Sequence, residues 1–106
     1  MSIQALYIAE GTQPQWKGES IAYTVTTTPW ATSPTVTQFK LYGPAESDVT
    51  VAQTSGSASV SGDVITTPKI VPSSIGYYRW VITFTSGGLT YIVPCNVFVV
   101  DPLDFV

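Results

Sequence analysis

The sequence predicts an all-β protein, an antiparallel β-sandwich of about seven strands, and three observations carry that expectation. Val, Ile, Thr and aromatic residues dominate, while Pro and Gly recur at intervals too short for helices. Several segments alternate apolar and polar side chains with a period of two, as half-buried strands do. Gly87-Gly88 separates two long apolar segments, the signature of a tight hairpin. The 106 residues fit one domain spanning 1–106, close to the roughly 100 that a two-layer sandwich requires.

In chain order, Ile3 to Ile8 reads as a first strand ending at Glu10-Gly11. Glu19 to Thr27 alternates Ile21, Tyr23 and Val25 on one face with Ala22, Thr24 and Thr26 on the other. Thr28 to Pro34 is a loop in which two prolines bracket Trp30. Thr35 to Tyr42 is a strand with Thr37, Phe39 and Leu41 on one face and Val36, Gln38, Lys40 and Tyr42 on the other. Asp48 to Ala52 is short and carries Val49 and Val51. Thr54 to Gly62, rich in Ser and Gly, is either a flexible loop or a weak edge strand. Val64 to Val71 is interrupted by Pro68. Tyr77 to Thr85 places Tyr78, Trp80, Ile82 and Phe84 on one face and Tyr77, Arg79, Val81 and Thr83 on the other. The last strand, Leu89 to Val100, contains Pro94; a residue without a ladder donor predicts an edge strand or a bulge. The expected core comprises Tyr23, Val25, Phe39, Leu41, Tyr78, Trp80, Ile82 and Phe84, with Phe98 also inward.

The stretch entering the hairpin, Ser74-Ile75-Gly76-Tyr77-Tyr78-Arg79-Trp80, resembles the tyrosine corner of immunoglobulin-like sandwiches. Tyr78 is the corner tyrosine, Gly76 opens the strand, and Trp80 stands where antibody domains carry a cysteine. The resemblance specifies the sandwich as immunoglobulin-like and makes these three residues structural.

Composition narrows the chemistry. Charged residues are 10% of the chain, against a usual share of about 25%, so Ser, Thr or a partner must cover much of the surface. Four basic side chains against seven acidic ones give a net charge of −3 with no basic cluster, which argues against nucleic acid as a partner. The chain has no histidine, so Ser-His-Asp and Cys-His nucleophile systems are out of reach. The acids lie at turns and strand ends, where solubility and turn formation explain them. Glu46 and Asp48, the closest pair, offer too few oxygens for a calcium loop. No catalytic residue, metal site or cofactor is expected. Cys95, the single cysteine, sits in an apolar strand and reads as a buried structural thiol. No apolar run approaches the roughly 20 residues of a membrane helix, and the N-terminus does not read as a signal peptide. A non-membrane protein made in a cytoplasm is the expectation.

Two tryptophans stand apart from the strand pattern. Trp30, in Thr-Thr-Pro-Trp-Ala-Thr-Ser-Pro, is either a plug over the end of the sandwich or a contact anchor, and Trp16, in Gln-Pro-Gln-Trp-Lys-Gly, has the same two readings. The tail after Asp101 carries Leu103, Phe105 and Val106, three apolar side chains to be covered either by the domain itself or by a neighbouring chain. Trp30, Trp16, Leu103, Phe105 and Val106 are the interface candidates.

The segment GYYRWVITFTSGGLTYIVPCNVFVVDPL resembles the end of small immunoglobulin-like proteins encoded among structural genes of tailed bacteriophages. Gly76, Tyr78, Gly87-Gly88, Pro94 and Phe98 match their pattern in order, and Gly18-Glu19 resembles the Gly-Asp that opens such domains. Ser74 departs from it, standing where the pattern has an acid. The resemblance implies a non-enzymatic virion component made in the host cytoplasm. Such a protein would dock on head or neck subunits as a decoration or bracing protein, in multiple symmetric copies, with other virion proteins as its partners. A receptor- or carbohydrate-binding recognition module is the alternative; it would show an exposed Trp/Tyr platform with polar neighbours.

Overall fold

The computed structural model describes residues 3–5, 13–28 and 31–101, and its architecture is all-β. Ten strands and no helix occur among the described residues: β1 (Ile3–Ala5), β2 (Gln13–Trp16), β3 (Thr24–Thr26), β4 (Thr35–Tyr42), β5 (Thr54–Ser55), β6 (Ser59–Ser61), β7 (Val64–Thr66), β8 (Lys69–Ile70), β9 (Gly76–Ser86) and β10 (Leu89–Val100). The largest sheet runs β1-β10-β9-β4, with β2 also paired to β10. A second sheet runs β3-β7-β6, and β5 pairs with β8. Two strand-like expectations dissolve into shorter pieces. The Glu19-to-Thr27 segment keeps β3 and a single bridge from Ile21 to Ile70. Val64 to Val71 splits into β7 and β8 around Pro68, which has no amide to donate.

The β9–β10 hairpin is the spine. Its ladder runs unbroken from Ser86↔Leu89 to Gly76↔Val99, and both turn residues have positive φ, 57° at Gly87 and 79° at Gly88. That pair defines a type I′ turn, whose twist matches the strands it joins and which glycine adopts without strain. Alternation then sends Tyr78, Trp80, Ile82 and Phe84 inward from β9 and Tyr91, Val93, Cys95, Val97 and Val99 inward from β10. They meet Leu41 of β4 and Val25, Ile65 and Ile70 from the smaller sheets in one cluster, so the core lies between the layers of a sandwich-like fold. Of the expected core, Tyr23 and Phe39 are only partly buried and pack against its rim.

Four expectations are corrected. Phe98 is not core: it is 39% exposed, because it shares parity with Pro94 and Asn96 on the outer face of β10. Val36 does not share a face with Gln38. A register shift between Val36 and Gln38 inserts Thr37 as an extra residue, so both Val36 (opposite Phe84) and Phe39 (opposite Ile82) turn toward the core. The Asp48-to-Ala52 segment is a turn with one bridge, Tyr42↔Asp48, and Val51 at its tip is 96% exposed. Finally, β10 is not an edge strand. β9 flanks it on one side and, on the other, β1 and β2 run parallel to it. Among the described residues, pairing to β1 ends at Ile92 and pairing to β2 begins at Val97. Pro94 falls between the two, where its missing donor removes no bond of either ladder.

Candidate interaction surface

At the entry to β9, the Tyr78 hydroxyl ties two loops to the end of the sheet. The Tyr78 ring is buried (1% exposed) while its hydroxyl reaches the loops. It donates to Gln53 Oε1 at 2.6 Å and accepts from the Ser74 amide at 3.2 Å. Gln53 Oε1 also accepts from the Ser73 amide, so one phenol and one carboxamide tie the 50s turn to the entry of β9. Gly76 sits at φ 123°, and a Cβ there would lie 3.1 Å from Pro44 Cβ. Trp80 fills the centre, with the rings of Tyr23 and Phe39 at 6.0 and 6.1 Å between centroids. Its indole Nε1 is buried without a hydrogen-bond partner.

Several polar groups brace the framework around this core. Gln15 is 2% exposed; its amide donates to the carbonyls of Glu19 and Ile70, and its Oε1 accepts from Tyr23 Oη at 2.7 Å. Burial, then the Cys95 thiolate and Glu19 charges, push the Tyr23 phenol up to about 12. Asp63 accepts from Thr28 Oγ1 and the Ser33 amide, and these bonds hold its carboxyl below the usual carboxylate range. Together with the Ser86–Thr32 bonds, they clamp both ends of the loop containing Trp30. Asp48 accepts from the Thr50 hydroxyl and amide and pairs with Lys40 at 3.2 Å, which lowers it to about 2. These acids organise turns. Cys95 is buried, as expected of a structural thiol, with its Sγ 3.6 Å from the Asn96 carbonyl.

Of the interface candidates, Trp30, Leu103, Phe105 and Val106 lie outside the described residues. Trp16 is 41% exposed and pairs with Val100 at the end of the β2–β10 ladder. It walls a hollow of about 500 Å³ with Pro14, Gln15, Glu19, Ile21 and Val100. Lys17 bonds the Val100 carbonyl through its amide and Asp101 through its ammonium at 3.3 Å. Trp16 and Lys17 therefore lie beside Val100 and Asp101, the last described residues of the chain.

Sequence reading missed an exposed aromatic and cationic row on the outer sheet face. Tyr77 is 64% exposed and lies opposite Phe98, the ring centroids 4.6 Å apart. One position along, Arg79 lies opposite Asn96 and holds its guanidinium 5.3 Å from the centre of the Tyr42 ring. The parity of Tyr77 and Arg79 was readable, but their meeting with Phe98 and Tyr42 depends on registers that sequence does not print. No group of three or more His, Cys, Asp or Glu suited to a metal ion occurs among the described residues. Compared with protein-family models and with curated proteins, the chain matches none.

Proposed function

We propose that this protein is a non-enzymatic structural component of a tailed-phage virion, an immunoglobulin-like domain that docks on head or neck subunits through the surface around Trp16. The observation that carries the reading is the placement of Trp16: a large, half-exposed ring beside an apolar hollow, paired with Val100 at the end of the β2–β10 ladder. A tryptophan at the rim of a concavity is the residue type on which binding energy concentrates. The immunoglobulin-like assignment is supported by the order β2-β10-β9-β4 facing β3-β7-β6, by the parallel β2–β10 pair and by the corner at Tyr78. The phage context comes from the resemblance of the Gly76-to-Leu103 segment.

The test is quantitative mass spectrometry of density-purified particles of the phage encoding the chain. The expected result is a fixed ratio of this chain to the major capsid protein. That ratio drops for Trp16→Ala, while the purified variant melts within a few degrees of the parent, as an exposed substitution should. Absence of the chain from particles overturns the proposal; full occupancy by Trp16→Ala overturns the docking site.

A further inference from the structure

On the far flank of Phe98 from Trp16, the outer sheet face carries a small pocket of about 150 Å³ whose wall includes Tyr42, Pro44, Glu46, Tyr77, Arg79 and Asn96. Sites for drug-sized ligands occupy about 300–1,000 Å³, so this pocket has room for one ring rather than an extended ligand. Its floor and rim are held in place. Pro44 packs against Gly76, Phe98 supports the Tyr77 ring, and Tyr42 lies under the Arg79 guanidinium. Glu46 occupies a left-handed backbone position, φ 59°, that a non-glycine residue adopts rarely. Its amide donates to the Gly43 carbonyl at 2.9 Å, so a closed turn fixes it at the pocket rim.

The chemistry of the wall selects the occupant. Tyr77 offers an open aromatic face. Arg79 offers only donors, Glu46 only acceptors, and Asn96 both. The ion pairs among the described residues are Lys17–Asp101 and Lys40–Asp48, so neither Arg79 nor Glu46 is neutralised by a direct partner. An apolar side chain seated here would strip water from a guanidinium and a carboxylate and return nothing. An anionic ligand would meet Glu46. A neutral polyhydroxylated ring satisfies all of them: its C–H face lies on Tyr77, and its vicinal hydroxyls both donate to Glu46 and accept from Arg79 and Asn96. We propose that this pocket binds a single neutral hexopyranose unit of a glycan. The site is separate from the Trp16 hollow, so attachment and glycan binding can be lost independently.

The test is an amide NMR titration of the whole chain with the methyl glycosides of glucose, galactose, mannose and N-acetylglucosamine, and with N-acetylneuraminic acid as the anionic arm. At least one neutral glycoside is expected to give saturable shifts centred on Tyr77, Arg79 and Asn96, at the millimolar affinity of a one-ring contact. Tyr77→Ala and Arg79→Gln, both exposed changes, should each weaken binding about tenfold or more; Tyr77→Trp should retain it and Trp16→Ala should leave it unchanged. Near-UV circular dichroism from the buried Trp80 verifies that each variant is folded. The proposal is overturned if no neutral glycoside shifts these amides, if the shifts survive Tyr77→Ala, or if only N-acetylneuraminic acid binds.

Discussion

Trp80 and Tyr78 carry different kinds of stability. Trp80 contributes volume: it is buried between two rings, and its Nε1 contributes nothing by hydrogen bonding. Trp80→Ala should cost about 3–5 kcal/mol, a large part of the 5–15 kcal/mol that holds a typical domain together. Trp80→Phe, which removes the orphan donor along with part of the volume, should cost visibly less; urea denaturation of the three proteins checks the order. Tyr78 contributes through its hydroxyl as well. Tyr78→Phe keeps the packing but leaves the Ser74 amide and Gln53 without that partner, a loss of about 1–3 kcal/mol. Gly76→Ala combines a positive φ with a 3.1 Å contact to Pro44 and should lower the melting temperature although it adds only a methyl group. Two residues contribute pH dependences of opposite sign. Tyr23 keeps its proton up to about 12 in the folded chain, whereas an ordinary tyrosine loses it near 10.0. The unfolded chain is then the one that releases the proton first, so stability falls as pH rises from 10 toward 12. Asp48 runs the other way. Its folded value of about 2 lies below the ordinary 3.8, so its stabilisation is complete above pH 3.8 and disappears as pH falls toward 2. Melting curves across both ranges should flatten on the alkaline side in Tyr23→Phe and on the acid side in Asp48→Asn.

Among the elements, the β9–β10 hairpin is the one whose behaviour follows most directly from its residues. Gly88 requires φ 79°, so Gly88→Val should destabilise the turn by at least about 1 kcal/mol and slow refolding if the hairpin forms early; stopped-flow folding of the variant measures both. The same hairpin shows why some of the fold could be read in advance. Its two strands alternate over many residues and end at a Gly-Gly pair, so period and turn chemistry agree, and β10 matches the expected Leu89 to Val100 residue for residue. β4 shows the limit. Its eight residues were identified, but the extra residue at Thr37 reverses the parity of Val36, and nothing in Thr35-Val36-Thr37-Gln38 marks a bulge. Pro94 misled for a related reason: proline argues for an edge only if one strand runs the whole length of each flank, and here two short strands share a flank. The candidate site was legible to the same degree. Trp16 stood out because it broke the strand pattern. The Tyr77–Phe98 and Arg79–Tyr42 pairs were hidden because each partner comes from a different strand.

At the scale of the whole molecule, apolar burial is concentrated on one face of the large sheet, and the opposite face keeps aromatic and half-buried apolar side chains in view of solvent. The proposed attachment site at Trp16 and the proposed glycan pocket at Tyr77 divide that surface between them. A double variant, Trp16→Ala with Tyr77→Ala, should lose both properties additively, because Trp16 lies on β2 and Tyr77 on β9, on opposite flanks of β10; isothermal measurements on each function test the additivity. The parallel docking of β2 along β10 has a mechanical consequence. Tension applied through the chain before Gln13 and the chain after Val100 pulls the two strands past each other along their length. The Gln13↔Val97 to Trp16↔Val100 pairs then bear the load together instead of opening one at a time. Resistance to such a pull is governed by the unfolding rate. Force spectroscopy with handles at those two points should rupture the domain at a higher force than handles placed at Gly76 and Val99, where the antiparallel ladder peels pair by pair.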